Sequence, residues 1–305
     1  MEIPNELKLL YNHWGKHTSL PNLNQEDTKI DIDLLNKTII FSSERMIIWE
    51  KKFKNLSQPY TKDKILSQYR FCNIYRELDK QTIQIHTLLN KYRNDFPLWL
   101  LNVAFSRFVC NPVTISKVGL LDFDIKNNED VFSRLTLLPS PKYGSAYIFP
   151  VSLIMKSDFN TRERFFCFYL PKVIQKVASE ISKFNNIGVC DALEIALPTF
   201  GYNFKFHWTE ILIDVAYQFP QFINLYDKFP IGPGSEPTMK RFSDSKKPED
   251  ICLDIMNKQP FTNFEYLTYN SKKIYLSAEN VEGIGCEFRK YTNLNKGSGR
   301  KRKYI

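Results

Sequence analysis

Glycine is scarce, with 11 residues in 305, about half the ~7% of an average chain. That scarcity disfavours turn-rich sandwiches, propellers and dinucleotide folds. The sequence also lacks Gly-x-x-x-x-Gly-Lys-Ser/Thr and Gly-x-Gly-x-x-Gly, so nucleotide-kinase and dinucleotide readings lose their main support. No Gly-x-Ser-x-Gly elbow marks a serine hydrolase. The six cysteines (Cys72, Cys110, Cys167, Cys190, Cys252, Cys286) are scattered and form no Cys-x-x-Cys pair, which predicts reduced thiols rather than a disulfide framework or paired metal ligands. His13 and His17 are four apart, but no third ligand is near in sequence, so neither a metal nor a cofactor is expected. No run approaches the ~18 uncharged apolar residues that span a bilayer, and Met1–Glu6 lacks the basic start and apolar run of a signal peptide. The expectation is an intracellular protein with no membrane partner.

What the chain has is apolar mass and positive charge. Hydrophobic residues make up 43% and aromatics 14%, enough to bury a full core in one large domain or two small ones. The net charge is +9, and Lys296, Arg300, Lys301, Arg302 and Lys303 supply five of those charges. Such a tail reads either as a solvated end or nuclear import signal, or as an arm that binds nucleic-acid phosphates by releasing counterions. A nuclear location, or another reducing compartment that holds DNA, follows from either.

The periodicity predicts an all-α fold with at most a small hairpin. Residues 1–40 are polar and read as an irregular arm with one short helix, residues 41–295 as the helical domain, and 296–305 as the basic tail. Helices are expected at 44–54, 61–89, 96–109, from Pro112 behind an Asn111 cap, and at 162–184, 189–196, 206–217, 236–242, 248–257 and 278–290. Residues 143–150, between Pro141 and Pro150, are the best candidate for extended structure.

Four segments carry candidate chemistry. In Phe71–Asp79 a helix would set Arg76 beside Asp79, a guanidinium oriented by a carboxylate among aromatics; an ordinary surface ion pair is the plainer reading. Leu197-Pro198-Thr199-Phe200-Gly201 is a turn between helices that would let backbone N–H groups approach a phosphate, or a plain turn. Gly232-Pro233-Gly234 before a helix reads equally as backbone donors exposed to an anion or as a plain tight turn. The fourth segment, Glu279–Tyr291, would place Glu287 and Lys290 on one helix face ahead of the basic tail, with Arg289 and Tyr291 beside them; a capped, charge-laced terminal helix is the plainer reading.

In order and chemistry these segments resemble the helical DNA-base-modification superfamily of alpha-glutamyl/putrescinyl thymine pyrophosphorylases and the helical domain of 5-hydroxymethyluracil DNA kinases. The resemblance spans about residues 44–304. It rests on Phe71, Asn73, Tyr75, Arg76 and Asp79; on Arg107, Phe108, Asn111, Pro112 and Thr114; on Gly201, Asp214 and Tyr217; on Gly232–Gly234; and on Cys286, Glu287, Lys290 and Tyr291. Two departures are Glu210, where the family pattern has Gln, and Ser235–Met239, where a glycine-containing sequence follows Gly-Pro-Gly.

The resemblance implies a helix-hairpin-helix, glycosylase-like fold acting on thymine-derived bases in DNA. In its transferase branch an amine displaces pyrophosphate from 5-pyrophosphoryloxymethyluracil, with the base swung out of the stack. It then implies leaving-group contacts from Arg76, Lys290, Gly232 and Gly234, with Asp79 orienting Arg76. Proton transfer falls to Asp214 or Glu287, base stacking to Tyr75 and Tyr217, and DNA-backbone contacts to Gly201, Arg300, Lys301, Arg302 and Lys303. The alternatives are a non-catalytic DNA-binding module of the kinase-associated type and a helical scaffold whose tail is only a targeting signal.

Overall fold

A computed structural model describes residues 1–16, 18–23, 29–299 and 303. His17, Arg300, Lys301 and Arg302 therefore lie outside the described residues. The helices are α1 (Asn5–Tyr11), α2 (Ile32–Phe53), α3 (Lys80–Leu89), α4 (Phe96–Val109), α5 (Pro112–Val118), α6 (Ile125–Leu137), α7 (Arg162–Arg164), α8 (Leu170–Ile181), α9 (Val189–Phe200), α10 (Lys205–Gln218), α11 (Glu236–Phe242), α12 (Pro248–Asn257) and α13 (Ala278–Asn295). Two pairs of two-residue strands are the β structure in named elements: Ile187–Gly188 parallel to Ile223–Asn224, and Thr268–Tyr269 antiparallel to Lys272–Lys273. The fold is helical, as the periodicity predicts. No helix among the described residues is long and apolar enough to cross a membrane.

The chain divides into two compact units. The first comprises Met1–Asn12, His17–Asp79 and Leu225–Ile305; the second comprises His13–Lys16 and Lys80–Asn224. The first unit is built on α2, α11, α12 and α13, which pack on one another. Helix α13 starts at Ser277, whose side chain caps the Asn280 N–H while Asn280 Oδ1 accepts from the Ser277 N–H, so two of the orphan donors of the helix start are satisfied at once.

In the second unit α4 is the axis. Trp99, Leu100, Leu101, Val103, Ala104, Phe105, Phe108 and Val109 are all buried, and α3, α5, α8 and α10 pack around it. An apolar helix of this kind is stable only when covered on every side. Asn111 caps α5 by accepting from the Val113 and Thr114 N–H groups, with Pro112 in the first turn, as its sequence signature requires. Helices α7 and α8 are joined by a π-helical stretch, Phe165–Tyr169, just before Pro171. Pro171 has no N–H to continue an i→i−4 ladder, and the wider turn accommodates it.

His207, on α10, stacks on Phe108 at a 5.1 Å centroid separation, and burial pushes its pKa down to about 4. The unfolded chain, with an ordinary pKa near 6.5, takes up a proton that the folded state refuses. Stability is therefore full above pH 6.5 and falls as pH drops toward 4. We expect urea unfolding at pH 4.5 to show about 2 kcal/mol less stability from this group than at pH 7, and His207→Phe to remove that difference. An equal pH dependence in the variant would refute this assignment.

Three local expectations are corrected. The helix expected from 44 begins at Ile32, inside the stretch read as an irregular arm, because Asp31 accepts from the Leu34 N–H and starts it earlier. Residues 61–89 do not form one long helix; regular helix begins only at Lys80, after a short 3-10 turn, Arg76–Leu78. Side chains have taken over the backbone of that stretch. Asp63 accepts from the Ile65 and Leu66 N–H groups, Arg45 donates to the Phe71 and Cys72 carbonyls, and Glu287 accepts from the Cys72 N–H. Residues 143–150 carry no strand; the Gly144 N–H turns back to the Val109 carbonyl.

Candidate functional site

In the second unit, two segments far apart in sequence meet at a buried charge. Arg107 on α4 donates from Nε to Asp214 Oδ2 at 2.6 Å and from Nη2 to Asp214 Oδ1 at 2.7 Å. This bidentate fork on a carboxylate is the strong geometry for such a pair. Nη2 also reaches Thr82 Oγ1 at 3.1 Å. His86 Nε2 lies 3.1 Å from Asp214 Oδ1, while Trp14 Nε1 donates to His86 Nδ1 at 3.1 Å. The indole N–H fixes the tautomer: Nδ1 accepts, so Nε2 carries the proton and donates to Asp214. Trp14 in turn stacks on Tyr217 at 4.7 Å. Arg107 and Asp214 are both nearly or fully excluded from solvent.

This placement bears on two expected roles. The Asp214 oxygens already accept from a guanidinium fork and an imidazole N–H in a fully buried position, which is not how a base awaiting an amine is presented. Tyr217 is fully buried beneath the Trp14 indole, a core position rather than a stacking platform. Gly201 closes α9 at a φ of +85°, a conformation that favours glycine. A Cβ there would come within 2.9 Å of the Tyr169 hydroxyl. Helix α9 runs through Pro198 to Phe200, so the turn is shorter than the Leu-Pro-x-x-Gly reading placed it.

The first unit gathers three of the motifs. The Gly232 N–H donates to Glu282 Oε1 at 3.2 Å, so the protein's own carboxylate sits where an anion was expected. A Cβ on Gly234 would meet Cys286 Sγ at 2.6 Å, and Arg289 Nη1 donates to the Pro233 carbonyl at 2.8 Å. Glycine at 234 thus serves the close approach of this turn to α13. Gly285 does the same from the helix side: its Cβ would lie 2.3 Å from Ser235 Oγ and 2.7 Å from Met239 Cε. The Ser235 hydroxyl and Met239 methyl are side-chain ends that can swing aside, and alanine gains about 1 kcal/mol over glycine inside a helix. We therefore expect Gly285→Ala to be close to neutral and the bulkier Gly285→Leu to cost about 1–3 kcal/mol by overpacking, read as a lower urea midpoint at unchanged slope; a wild-type midpoint for Gly285→Leu would refute the close packing.

Glu287 accepts from the Cys72 N–H at 3.1 Å, and its Oε2 is 3.7 Å from Lys290 Nζ. Lys290 donates to the Arg70 carbonyl and lies 4.5 Å over the Phe71 ring. The terminal helix therefore clamps the 70–72 strip from two sides. Asp79 accepts from Asn73 Nδ2 at 2.8 Å, and its N–H donates to the Arg76 carbonyl at 3.0 Å, so Arg76 and Asp79 bracket a 3-10 turn rather than share the face of an α-helix. Tyr75 is fully buried with its hydroxyl on the Ile274 carbonyl at 2.7 Å, again a core position. Lys303 is exposed and makes an isolated antiparallel bridge to Tyr69.

Sequence reasoning did not single out Glu77 or Trp14. Glu77 is buried and accepts from Tyr11 Oη at 3.1 Å. Its partner is 66 residues away, and nothing local marks the pair. Burial and the nearby Glu77 carboxylate push the Tyr11 pKa well above its ordinary value, so that hydroxyl remains a donor.

Against known proteins, a family model described as "5-hmdU DNA kinase, helical domain" matches residues 33–300. No curated protein and no solved structure matches the chain.

Proposed function

Because the chain belongs to the family of 5-hmdU DNA kinase helical domains, we propose that it is a DNA-modification protein whose helical units bind duplex DNA at 5-hydroxymethyluracil-type bases without themselves carrying out the chemistry. The observation that carries this reading is the engagement of the candidate groups within the protein: Arg107 and His86 hold Asp214, and Glu282 holds the Gly232 N–H. The sequence also has no phosphate loop of its own. DNA contacts are assigned to the turn at Gly201 and to the basic end from Lys296 onward, where positive charge attracts phosphates irrespective of sequence. A nuclear or other DNA-holding compartment fits that basic end.

The test is equilibrium binding to otherwise identical duplexes with and without one 5-hydroxymethyluracil. Preferential, salt-sensitive binding that persists in Glu287→Gln supports the reading. Equal affinity for the two duplexes rejects it.

A second reading is the amine transferase acting on 5-pyrophosphoryloxymethyluracil. It draws support from the Glu287–Lys290 pair on the same helix that packs against the Gly232–Gly234 turn. Incubating the protein with such DNA and a panel of amines distinguishes the two, since transfer changes the mass of the nucleoside recovered and binding alone does not.

A further inference from the structure

A groove of about 300 Å³ opens in the second unit between α3, α4 and α5. No charged side chain lines it among the described residues. Its polar groups are the Gln81 and Gln84 amides and the hydroxyls of Ser106 and Ser116, and Leu88 and Val113 stand exposed at its apolar edge. Ser106 is only 2% exposed, and its hydroxyl has no hydrogen-bond partner. Buried hydroxyls are ordinarily paired, so an orphan at the wall of a groove points to a ligand atom that completes it. Gln81 is also under-used: its amide N–H is 3.4 Å from Cys110 Sγ, and that thiol faces its carbonyl oxygen at 3.8 Å. Sulfur is a weak partner in either direction, so the amide is held in place by contacts a better partner displaces.

We propose that this groove seats one uncharged ring bearing an imide edge, of the uracil type. The choice of ring rests on the DNA-modification reading, whereas the groove itself does not. An imide edge presents acceptor, donor and acceptor in a row. One glutamine amide supplies a donor and an acceptor for two of these positions, and a hydroxyl, able to do either, meets the third. Leu88 and Val113 offer apolar contact to the ring faces. The size is at the small end of ligand pockets, which run from ~300 to ~1,000 Å³, and with no cation in the lining a phosphate has no partner there. The groove therefore takes a base, with the charged backbone left outside it.

The test titrates the full chain calorimetrically with 5-hydroxymethyl-2′-deoxyuridine, with 2′-deoxyadenosine as the control. Saturable binding of the pyrimidine, weakened at least tenfold in both Ser106→Val and Gln84→Ala, is expected. Gln84 is exposed, so its variant keeps the test valid if Ser106→Val fails to fold. Absence of saturable binding, or equal binding by the variants, overturns the proposal. A parallel arm compares duplexes with and without the modified base. If the wild type prefers the modified duplex and the variants keep that preference, the groove is not the seat and the DNA reading stands. If the nucleoside binds in a Gln84-dependent way but the duplexes are not distinguished, the DNA reading falls and the groove survives.

Discussion

Asp214→Ala is expected to destabilise the protein by about 3–5 kcal/mol, the cost of leaving one partner of a buried ion pair alone. Arg107 would keep its charge at 1% side-chain exposure with no carboxylate to receive its fork, and the His86 Nε2–H would lose its acceptor. The loss should appear as a large drop in the urea midpoint followed by tryptophan fluorescence, since both Trp14 and Trp99 pack on His86. Asp214→Asn preserves shape but removes the charge that neutralises Arg107, so most of the loss should remain. The paired replacement Arg107→Met with Asp214→Leu removes both charges and should recover most of it, because an apolar pair of similar volume escapes the desolvation that two buried charges suffer. If the single variant kept the wild-type midpoint, the fork would not be the buried pair described above. If the double variant were as unstable as the single ones, steric fit rather than uncompensated charge would be responsible.

That pair also marks where the sequence stops being informative. The helices whose signals are local were legible: Asn111-Pro112 announces α5 by itself, and the apolar run 96–109 coincides with α4. The stretch from Thr61 to Asp79 has an equally persuasive helical period, yet Asp63, Arg45 and Glu287 hold its backbone in turns instead. Two of those three side chains come from α2 and α13, so no window of sequence around residue 70 contains the cause. The same holds for the site. Arg107 and Asp214 both belong to recognisable motifs, but their pairing joins positions 107 residues apart, and Trp14, which sets the tautomer of His86, comes from a segment that reads as an irregular arm. The glycines at 232 and 234 were legible as special positions and misleading as to purpose. Their use is close approach to α13, and the donor at 232 is satisfied by Glu282.

Removal of residues 296–305 is expected to weaken DNA binding by about 100-fold at ~0.1 M salt. The deletion takes away Lys296, Arg300, Lys301, Arg302 and Lys303, five of the nine surplus charges. Each cation that displaces a counterion from duplex DNA contributes about 0.9 to the slope of log affinity against log salt. Five contacts would lower the slope by ~4.5 units, and half that number already accounts for a 100-fold change at this salt. The tail is also not alone. Lys303 bridges to Tyr69, next in sequence to exposed Arg70, whose carbonyl accepts from the Lys290 amine. Fluorescence anisotropy with a labelled duplex over a salt series separates the alternatives. A shallower slope in the truncated chain identifies the tail as a phosphate-binding arm, and Arg70→Ala should then lower the slope further by about one unit. An unchanged slope together with altered cellular location identifies it as a targeting signal, and the DNA contacts must then be sought on the helical units themselves.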